Sequence, residues 1–382
     1  MNIMDDIYVL KDRVVEHRRW FHQNPELDFD VDKTREYIIA ELNRLKFHKV
    51  ETLADGVKGV LFAENPGSTL AFRADMDALP IEEETGLSFS SKIPGRMHAC
   101  GHDGHMAILL GLAEWVSLNR DKIRHNIVFI FQPAEETIGG ALPMIEAGVL
   151  ENPGVDAIFA FHVFPHIEQG KLGLKSGPLM AQTTEFNIYM EGKSSHGAMP
   201  HKGVDSIVAA SHFVCGLQSL VARRVDPLES AIITIGRMEA GKERNILAEN
   251  VILEGTIRTF NDEVYKSLKK DIIALLKGLE LSYGVESKFE ELICYPVVHN
   301  DCELVGKLKK ILPSKMIVNA TPIMIAEDFS YYQRQIPGVL VLLGSKNEGK
   351  GYVHPLHSNS FDFDEDILLI GIQSFLNILL EF

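Results

Sequence analysis

Towards both ends of the chain, stretches with apolar residues at helical spacing alternate with short continuous apolar runs. Residues 5–23 and 32–46 repeat apolar side chains at helical spacing, and Asn24-Pro25 interrupts the pattern between them. Short apolar runs predict buried strands at 59–63, 70–73, 127–131, 157–161 and 337–343, and longer stretches predict helices at 105–119 and 365–380. Near-continuous apolar strands that alternate with helices are typical of a sheet covered on both faces.

The middle of the chain has a different order of elements. Its pattern predicts strands at 186–191, 231–237, 251–260 and 287–294, and helices at 204–223 and 262–283. The order β-α-β-β-α-β is that of ferredoxin-like domains. We therefore predict an α/β fold, in which a mixed-sheet α/β domain (1–181 and 297–382) is interrupted by a smaller ferredoxin-like α+β domain (182–296).

Composition narrows the classes of function. The 382 residues contain 38 Lys and Arg against 53 Asp and Glu, a net charge of −15 that argues against a nucleic-acid-binding surface. No apolar run approaches the roughly 18–20 residues needed to span a bilayer, and the charged N-terminus lacks a signal core. Four irregularly spaced cysteines do not indicate a disulfide framework. We expect a cytoplasmic protein without a nucleic-acid or membrane partner.

The stretch MHACGHDGH (97–105) concentrates groups that bind metals. Thiolate and imidazole ligands suit zinc and similar divalent ions. In an extended segment, Cys100 and His102 would project to the same side and could bind one ion. The alternative is a surface loop that happens to be rich in histidine.

Two adjacent carboxylates follow the predicted strand 127–131 in the sequence QPAEE. Ligand-binding groups of α/β sheets lie just beyond the carboxyl ends of strands. Glu136 could bind a metal ion while Glu135 takes a proton from a metal-bound water. A solvated acidic loop is the alternative.

Further candidates follow other strands. His162 comes after the strand 157–161, and His357 lies in a loop before the last helix. Each would more often be structural if judged alone, but groups from several strand ends can converge at one rim of a sheet. Asp75 and Asp77 follow the strand 70–73, and Asp77 is the better candidate for holding a metal-bound imidazole. The alternative for Asp77 is a turn or helix-capping role.

Motifs of one enzyme family occur in order from residue 17 to residue 358. They read HRRWFHQNPEL, RADMDALPIEEETG, MHACGHDGH, FQPAEE, GGA, MIEAG, FHVFP, GKSSHGAMPH, VDP, NILAENVILEGTIRTF, AEDFSYY and PLHS. With these motifs the chain resembles the N-acyl-amino-acid amidohydrolases of the hippurate hydrolase type. That group of dinuclear metallopeptidases also includes aminoacylases and carboxypeptidase G.

The resemblance implies a role for each matching residue. Glu135 matches the general base, Asp77 the aspartate that supports the metal centre, and His196 a histidine that stabilises the tetrahedral intermediate. Asn245 and Arg258 match groups of the inserted domain that hold the substrate. The matching metal ligands are Cys100, His102, Glu136, His162 and His357.

The resemblance also implies cofactors and partners. It implies two divalent ions per subunit, with zinc or manganese first and cobalt or nickel also compatible with the ligands. The inserted domain would act as a lid and form a homodimer. One departure concerns Ser194-Ser195, where relatives usually have two glycines, so the loop before His196 has less backbone freedom.

The expected reaction is hydrolysis of the amide bond of an N-acyl amino acid, such as hippurate or an N-acetyl amino acid. An N-acetyldiaminopimelate deacetylase and a small dipeptidase or carboxypeptidase are alternatives with the same centre. A binding protein without activity and a structural zinc site are less compatible with the sequence. Glu135 and all five matching ligands are present, and a closed four-ligand zinc site would leave Glu135 unexplained.

Overall fold

The computed structural model describes residues 3–382, with side chains from residue 6 onward, and divides into two units. Unit 1 comprises Met1–Leu179, His299–Thr321 and Asp328–Phe382, and unit 2 comprises Met180–Val298 and Pro322–Glu327. The predicted domain boundaries lie after residue 181 and before residue 297, and the segment Pro322–Glu327 falls within the predicted 297–382 part of the first domain.

Helices and strands alternate along most of the described chain. The helices are α1 (Ile3–Tyr8), α2 (Lys11–Gln23), α3 (Asp32–Arg44), α4 (His102–Leu118), α5 (Ala141–Glu146), α6 (Ser206–Arg224), α7 (Asp262–Tyr283), α8 (Cys302–Ile311), α9 (Ser330–Gln335) and α10 (Asp366–Glu381). The strands are β1 (Lys49–Leu53), β2 (Gly56–Leu61), β3 (Thr69–Asp75), β4 (Asn126–Gln132), β5 (Ala157–Glu168), β6 (Leu172–Leu174), β7 (Gly177–Met180), β8 (Gln182–Glu191), β9 (Ala231–Ala240), β10 (Asn250–Thr259), β11 (Glu286–Tyr295), β12 (Val298–Asn300), β13 (Ile317–Asn319) and β14 (Gly338–Lys346).

Unit 1 is built on an eight-stranded mixed sheet in the order β1-β2-β4-β3-β5-β14-β6-β13. Its central strands β4, β3, β5 and β14 run parallel, whereas β1 and β2 are antiparallel additions at one edge. Every residue of β3 is buried, which fits a strand covered on both faces. The carboxyl ends of the parallel strands lie side by side at one end of the sheet, and Asp75 at the end of β3 pairs there with Gln132 at the end of β4.

Helix α4 runs through the core of unit 1 between α2 and α10. It is apolar nearly all round its circumference, as expected for a helix with no solvent-facing side. Two glycines permit this close packing. A Cβ at Gly104 would lie 2.6 Å from the Phe363 ring, and one at Gly111 would lie 2.4 Å from Ile372.

Unit 2 contains a four-stranded antiparallel sheet in the order β11-β8-β10-β9, with α6 and α7 packed on it. Along β8 the buried side chains of Phe186, Ile188 and Met190 alternate with more exposed ones, the pattern of a sheet with one covered face. The strand order and connections are those of a ferredoxin-like domain. Together the two units confirm the predicted fold class. In the described part of the chain, helices with the length and apolarity of a membrane span are absent.

Candidate metal centre

Cys100 and His102 flank a turn at the start of α4. The predicted extended segment is wrong here, because Gly101 between them has a left-handed backbone with φ of +85°. This conformation favours glycine, and a Cβ here would also lie 3.3 Å from the Cβ of Val163. His102 is the first residue of the helix, so the turn places both side chains on the same cluster.

All five predicted ligands of unit 1 meet in one cluster with Glu135. The ligand atoms of Cys100, His102 and His162 lie within 4.8 Å of one another, and Cys100 also groups in this way with Glu136 and His357. The Cys100 Sγ lies 3.6 Å from His162 Nε2. A third group within the same limit joins His102 to Glu135 and Glu136.

Two imidazoles present an unprotonated nitrogen to this cluster when they are neutral. His162 donates its Nδ1 hydrogen to the carbonyl of Val163 at 2.8 Å, and burial lowers the pKa of His162 to about 3. His102 donates its Nδ1 hydrogen to the carbonyl of Asp77 at 2.8 Å. Its buried Nε2 has no hydrogen-bond partner among the described residues. Such an orphaned nitrogen fits a metal ligand whose other ring nitrogen is fixed by the backbone.

The surrounding charges also fit a cation. Burial lowers the pKa of His102, but Asp75 and Asp77 outweigh this effect and raise it to about 10. Burial and the carboxylates of Glu136 and Glu135 raise the pKa of the Cys100 thiol. Because a divalent ion would compensate the crowded negative charge, the donor set and its electrostatics are those of a metal site.

Asp77 contacts the two glutamates through its carboxylate and the His102 imidazole through its backbone carbonyl. Its carboxylate accepts the backbone N–H groups of Glu135 at 3.1 Å and Glu136 at 3.0 Å. The contact with His102 runs through the Asp77 backbone carbonyl, while the nearer carboxylate oxygen is 3.6 Å from Nδ1. One residue therefore fixes the first helical histidine and the pair of glutamates together.

His162 lies within a strand, whereas the sequence predicts it just beyond the end of that strand. Strand β5 continues to Glu168 because β14 pairs with it over this range, with Leu342 opposite His162. His357 belongs to a loop and has a left-handed backbone with φ of +62°. Its Nε2 lies 3.3 Å from Glu136 Oε1.

Sequence reasoning missed a buried chain of polar groups behind the cluster. The Val163 N–H donates to His105 Nε2 at 2.8 Å, so His105 carries its proton on Nδ1 and donates it to Asp75 at 2.6 Å. Asp75 also accepts from Arg73 at 2.8 Å. The available signal was the third histidine of MHACGHDGH, which lies one helical turn after His102 and so on the same face of α4.

The other three predicted site residues belong to unit 2. His196 and Asn245 are exposed and lie on adjoining loop segments, where the Gly197 N–H donates to the Asn245 carbonyl at 2.7 Å. Arg258 lies half-buried on β10, and burial lowers its pKa. The Ser195 carbonyl accepts the Leu247 N–H at 2.9 Å, so Ser194-Ser195 belongs to an ordered pair of segments. The roles of these residues stay predictions.

Comparisons with known proteins identify the family. The family model "Peptidase family M20/M25/M40" matches residues 71–381. The chain is 38% identical over 376 residues to "Thermostable carboxypeptidase 2" of Saccharolobus solfataricus, covering 97% of this chain and 95% of the relative. It is 39% identical over 368 residues to "N-acetyldiaminopimelate deacetylase" of Bacillus velezensis, covering 95% and 96%.

A solved structure agrees with these matches. The Bacillus subtilis YXEP protein, described as a dinuclear metal binding peptidase from the M20 family, superposes with a TM-score of 0.85 at 32% identity, covering 98% of each chain. These matches confirm the resemblance found in the sequence. The chain is therefore a hydrolase and belongs to the metallopeptidase family M20/M25/M40.

Proposed function

We propose that the protein removes the acetyl group from N-acetylated amino acids, with N-acetyldiaminopimelate as the first substrate to test. The observation that carries this proposal is the paired Glu135 and Glu136 at a cluster of buried imidazoles and a thiol. From the sequence alone, hippurate-type hydrolysis is the first expectation and N-acetyldiaminopimelate deacetylation an alternative. Relatives named N-acetyldiaminopimelate deacetylase and N-acetyl-L-cysteine deacetylase favour the alternative.

Two divalent ions would be held by the five clustered ligands. Zinc and manganese are the first candidates, and cobalt and nickel also accept these donors. When bound, such ions supply Lewis acidity toward the acyl oxygen and lower the pKa of water toward about 7. The proposed ligands are Cys100, His102, Glu136, His162 and His357.

Glu135 would move the proton. Its side chain is buried, and its Oε2 lies 4.0 Å from His102 Nε2. The carboxylate accepts a proton from the attacking water and returns it to the amide nitrogen as the C–N bond breaks. The amino acid then leaves as a neutral amine, which is a far better leaving group than an amide anion.

Unit 2 would supply the groups that hold the substrate. We propose that His196 donates a hydrogen bond to the oxyanion and that Asn245 and Arg258 bind the oxyanion or the carboxylate of the amino acid. A good oxyanion donor contributes about 3–4 kcal/mol to the transition state. We further propose that unit 2 forms the homodimer, which the molar mass in solution tests.

A carboxypeptidase is the second candidate. The relatives named "Thermostable carboxypeptidase" are as similar to this chain as the deacetylases are. Hydrolysis of a peptide bond would use the same base and the same ligands, so only the groups that contact the substrate would differ.

The experiment is a substrate panel with metal-free protein reloaded separately with Mn²⁺, Zn²⁺, Co²⁺ and Ni²⁺. The panel contains N-acetyldiaminopimelate, N-acetyl-L-cysteine, other N-acetyl amino acids, hippurate and dipeptides. Highest kcat/KM on an N-acetylated substrate supports the proposal, whereas highest kcat/KM on a dipeptide supports the carboxypeptidase. Absence of hydrolysis with every metal contradicts both.

A further inference from the structure

We propose that Asp328 is a positioning residue whose buried carboxylate joins the two ends of the turn that carries Glu135 and Glu136. We call residues 133–140 the glutamate turn. The inference rests on the proposed function, because it assigns Asp328 a role through the proposed base and ligand. Asp328 is far from them in sequence and precedes α9.

The glutamate turn is a tight reversal with a demanding backbone. Ala134 has a left-handed conformation with φ of +56°, which is costly for a residue with a Cβ. Its carbonyl accepts the N–H of Gly139 at 3.0 Å, which closes the turn on itself. A Cβ at Gly140 would lie 2.0 Å from the Pro133 carbonyl oxygen, so the two ends of the turn touch. Such a conformation persists only where its surroundings hold it.

Asp328 binds both ends of this turn. Before the turn, the Gln132 amide donates to the two carboxylate oxygens at 2.9 and 2.7 Å. After the turn, the Ala141 N–H donates to Oδ2 at 2.9 Å. The middle of the glutamate turn is bound by a different carboxylate, because Asp77 accepts the backbone N–H groups of Glu135 and Glu136. One carboxylate therefore fixes the ends, and another fixes the glutamates between them.

Arg73 makes this arrangement possible inside the core. Asp328 is fully buried, and a buried carboxylate is costly unless it is paired and hydrogen-bonded. The buried Arg73 guanidinium donates to Asp328 at 2.9 Å and to the Gln132 side-chain oxygen at 3.0 Å. It also donates to Asp75 at 2.8 Å. The same cation thus supports the glutamate turn and the chain of hydrogen bonds behind His162.

The variant Asp328→Asn keeps the size of the side chain and removes its charge. An amide nitrogen in place of Oδ1 would face the Arg73 donor, and one in place of Oδ2 would face the Ala141 N–H, so either orientation loses a contact that holds Asp328 between the two ends of the turn. Displacement of a catalytic group by about 1 Å costs roughly 100-fold in rate, so we expect kcat to fall by about 100-fold. We expect KM to change by less than about twofold, because transition-state placement is affected and not substrate binding.

Cobalt gives a readout that does not depend on turnover. The visible absorption bands of Co²⁺ report the geometry of its ligands, and Glu136 is one of the proposed ligands. We expect Asp328→Asn to change these bands in the Co²⁺-loaded protein and to weaken metal binding by about 10- to 100-fold in chelator competition. Gln132→Met removes one anchor but keeps the Arg73–Asp328 pair, so it should change both readouts in the same direction and less.

Glu26→Gln is the matched control. Glu26 is also a buried carboxylate of unit 1 that accepts backbone N–H groups, those of Lys33 and Thr34 at 3.3 and 2.9 Å. Its loss should lower thermal stability without changing the cobalt bands. If folded Asp328→Asn and Gln132→Met keep wild-type bands, metal affinity and kcat, the positioning role is wrong. The test is separate from the proposed function, because the cobalt spectra are informative even if every substrate of the panel is left intact.

Discussion

At the scale of single residues, Glu135 and Glu136 are neighbours in sequence with different surroundings. Glu136 Oε1 lies 3.3 Å from His357 Nε2 and 3.7 Å from His102 Nε2. Burial raises the pKa of Glu136, but His357 and His102 outweigh this effect and lower it. Glu136 is thus held as an anion beside imidazoles, which suits its proposed role as a ligand, and the proton transfer is the role we propose for Glu135.

We expect Glu135→Gln to retain two metal ions per subunit and to lose activity. An amide cannot accept the proton of water, and removal of a general base lowers kcat by about 100- to 10,000-fold. Metal content by mass spectrometry and kcat on the best substrate of the panel check this. Glu136→Gln is the control, and it should lose metal as well as activity. Substantial turnover by Glu135→Gln would contradict the assigned role of Glu135.

Metal binding should release protons from the cluster. The raised pKa values of Cys100 and His102 keep the thiol and the imidazolium protonated near neutral pH, and both must lose a proton to act as ligands. The apparent metal affinity should therefore rise between about pH 6 and about pH 8. Calorimetry in buffers of different ionisation enthalpy measures the release. A binding enthalpy that is the same in all buffers would contradict it.

The site residues that the sequence predicts lie close to one another along the chain, whereas those it does not predict have partners far away in sequence. Cys100 and His102 share one dense motif that indicated metal chemistry by itself. Glu135 and Glu136 share a motif that could also have been a solvated acidic loop, and it gained support from the other strand ends and from the family motifs. Arg73 and Asp328 are 255 residues apart, and an isolated charge in either segment gives no sign of its partner. The pairing exists only because β3 and the segment before α9 meet in the folded core.

At the scale of elements, the contact between α2 and α4 depends on buried charges. His22 of α2 lies 2.9 Å from Asp103 of α4 and 3.2 Å from Glu83. Burial lowers the pKa of His22, but these hydrogen bonds outweigh it and raise it to about 9. A protonated His22 therefore stabilises the folded state more than the unfolded chain.

The sign of the pH dependence follows from this raised pKa. The contribution of His22 is fully present below its unfolded pKa, near 6.5, and is lost as the pH rises through about 9. We expect His22→Gln to cost about 1–3 kcal/mol of unfolding free energy at low pH and progressively less up to about pH 10. Denaturant unfolding at several pH values measures this difference.

His17 on the same helix provides the control. Burial lowers its pKa to about 4, so above about pH 7.5 His17 is neutral in both the folded and the unfolded chain. Between about pH 7.5 and about pH 10, His17→Gln should therefore have a cost that does not change with pH, whereas the cost of His22→Gln falls over the same interval. An equal pH dependence for both variants would contradict the assigned charge of His22.

Some strands could be predicted from their own sequence, and others depend on the strand that pairs with them. The apolar runs 127–131 and 157–161 lie inside β4 and β5, and the run 337–343 enters β14 at Gly338, because long buried runs have few alternatives to a central strand. Three-residue strands such as β6 and β13 carry no periodic signal and exist through their pairing. The extension of β5 to Glu168 likewise follows from its partner β14, and this extension placed His162 inside the strand.

At the scale of the whole molecule, each unit has a hydrophobic core, but the proposed ligands all belong to one of them. All five proposed ligands lie in unit 1, whereas unit 2 has its own core of Phe186, Phe213, Leu253, Ile272 and neighbouring side chains. A ligand that binds only the folded state stabilises it by mass action, by about 4 kcal/mol at a thousandfold excess over Kd. That stabilisation should act first on the unit that contains the site.

We therefore expect removal of metal by a chelator to loosen unit 1 selectively. Without a cation, the protonated His102 is left to balance the carboxylates of Asp75, Glu135 and Glu136, so the start of α4 and the end of β4 should open more often. Hydrogen exchange measured by mass spectrometry should show faster exchange in 98–106 and 130–141. The strands β8 to β11 should exchange as before, since their hydrogen bonds lie within unit 2. Equal acceleration in both units would mean that these ions do not act through the cluster of unit 1.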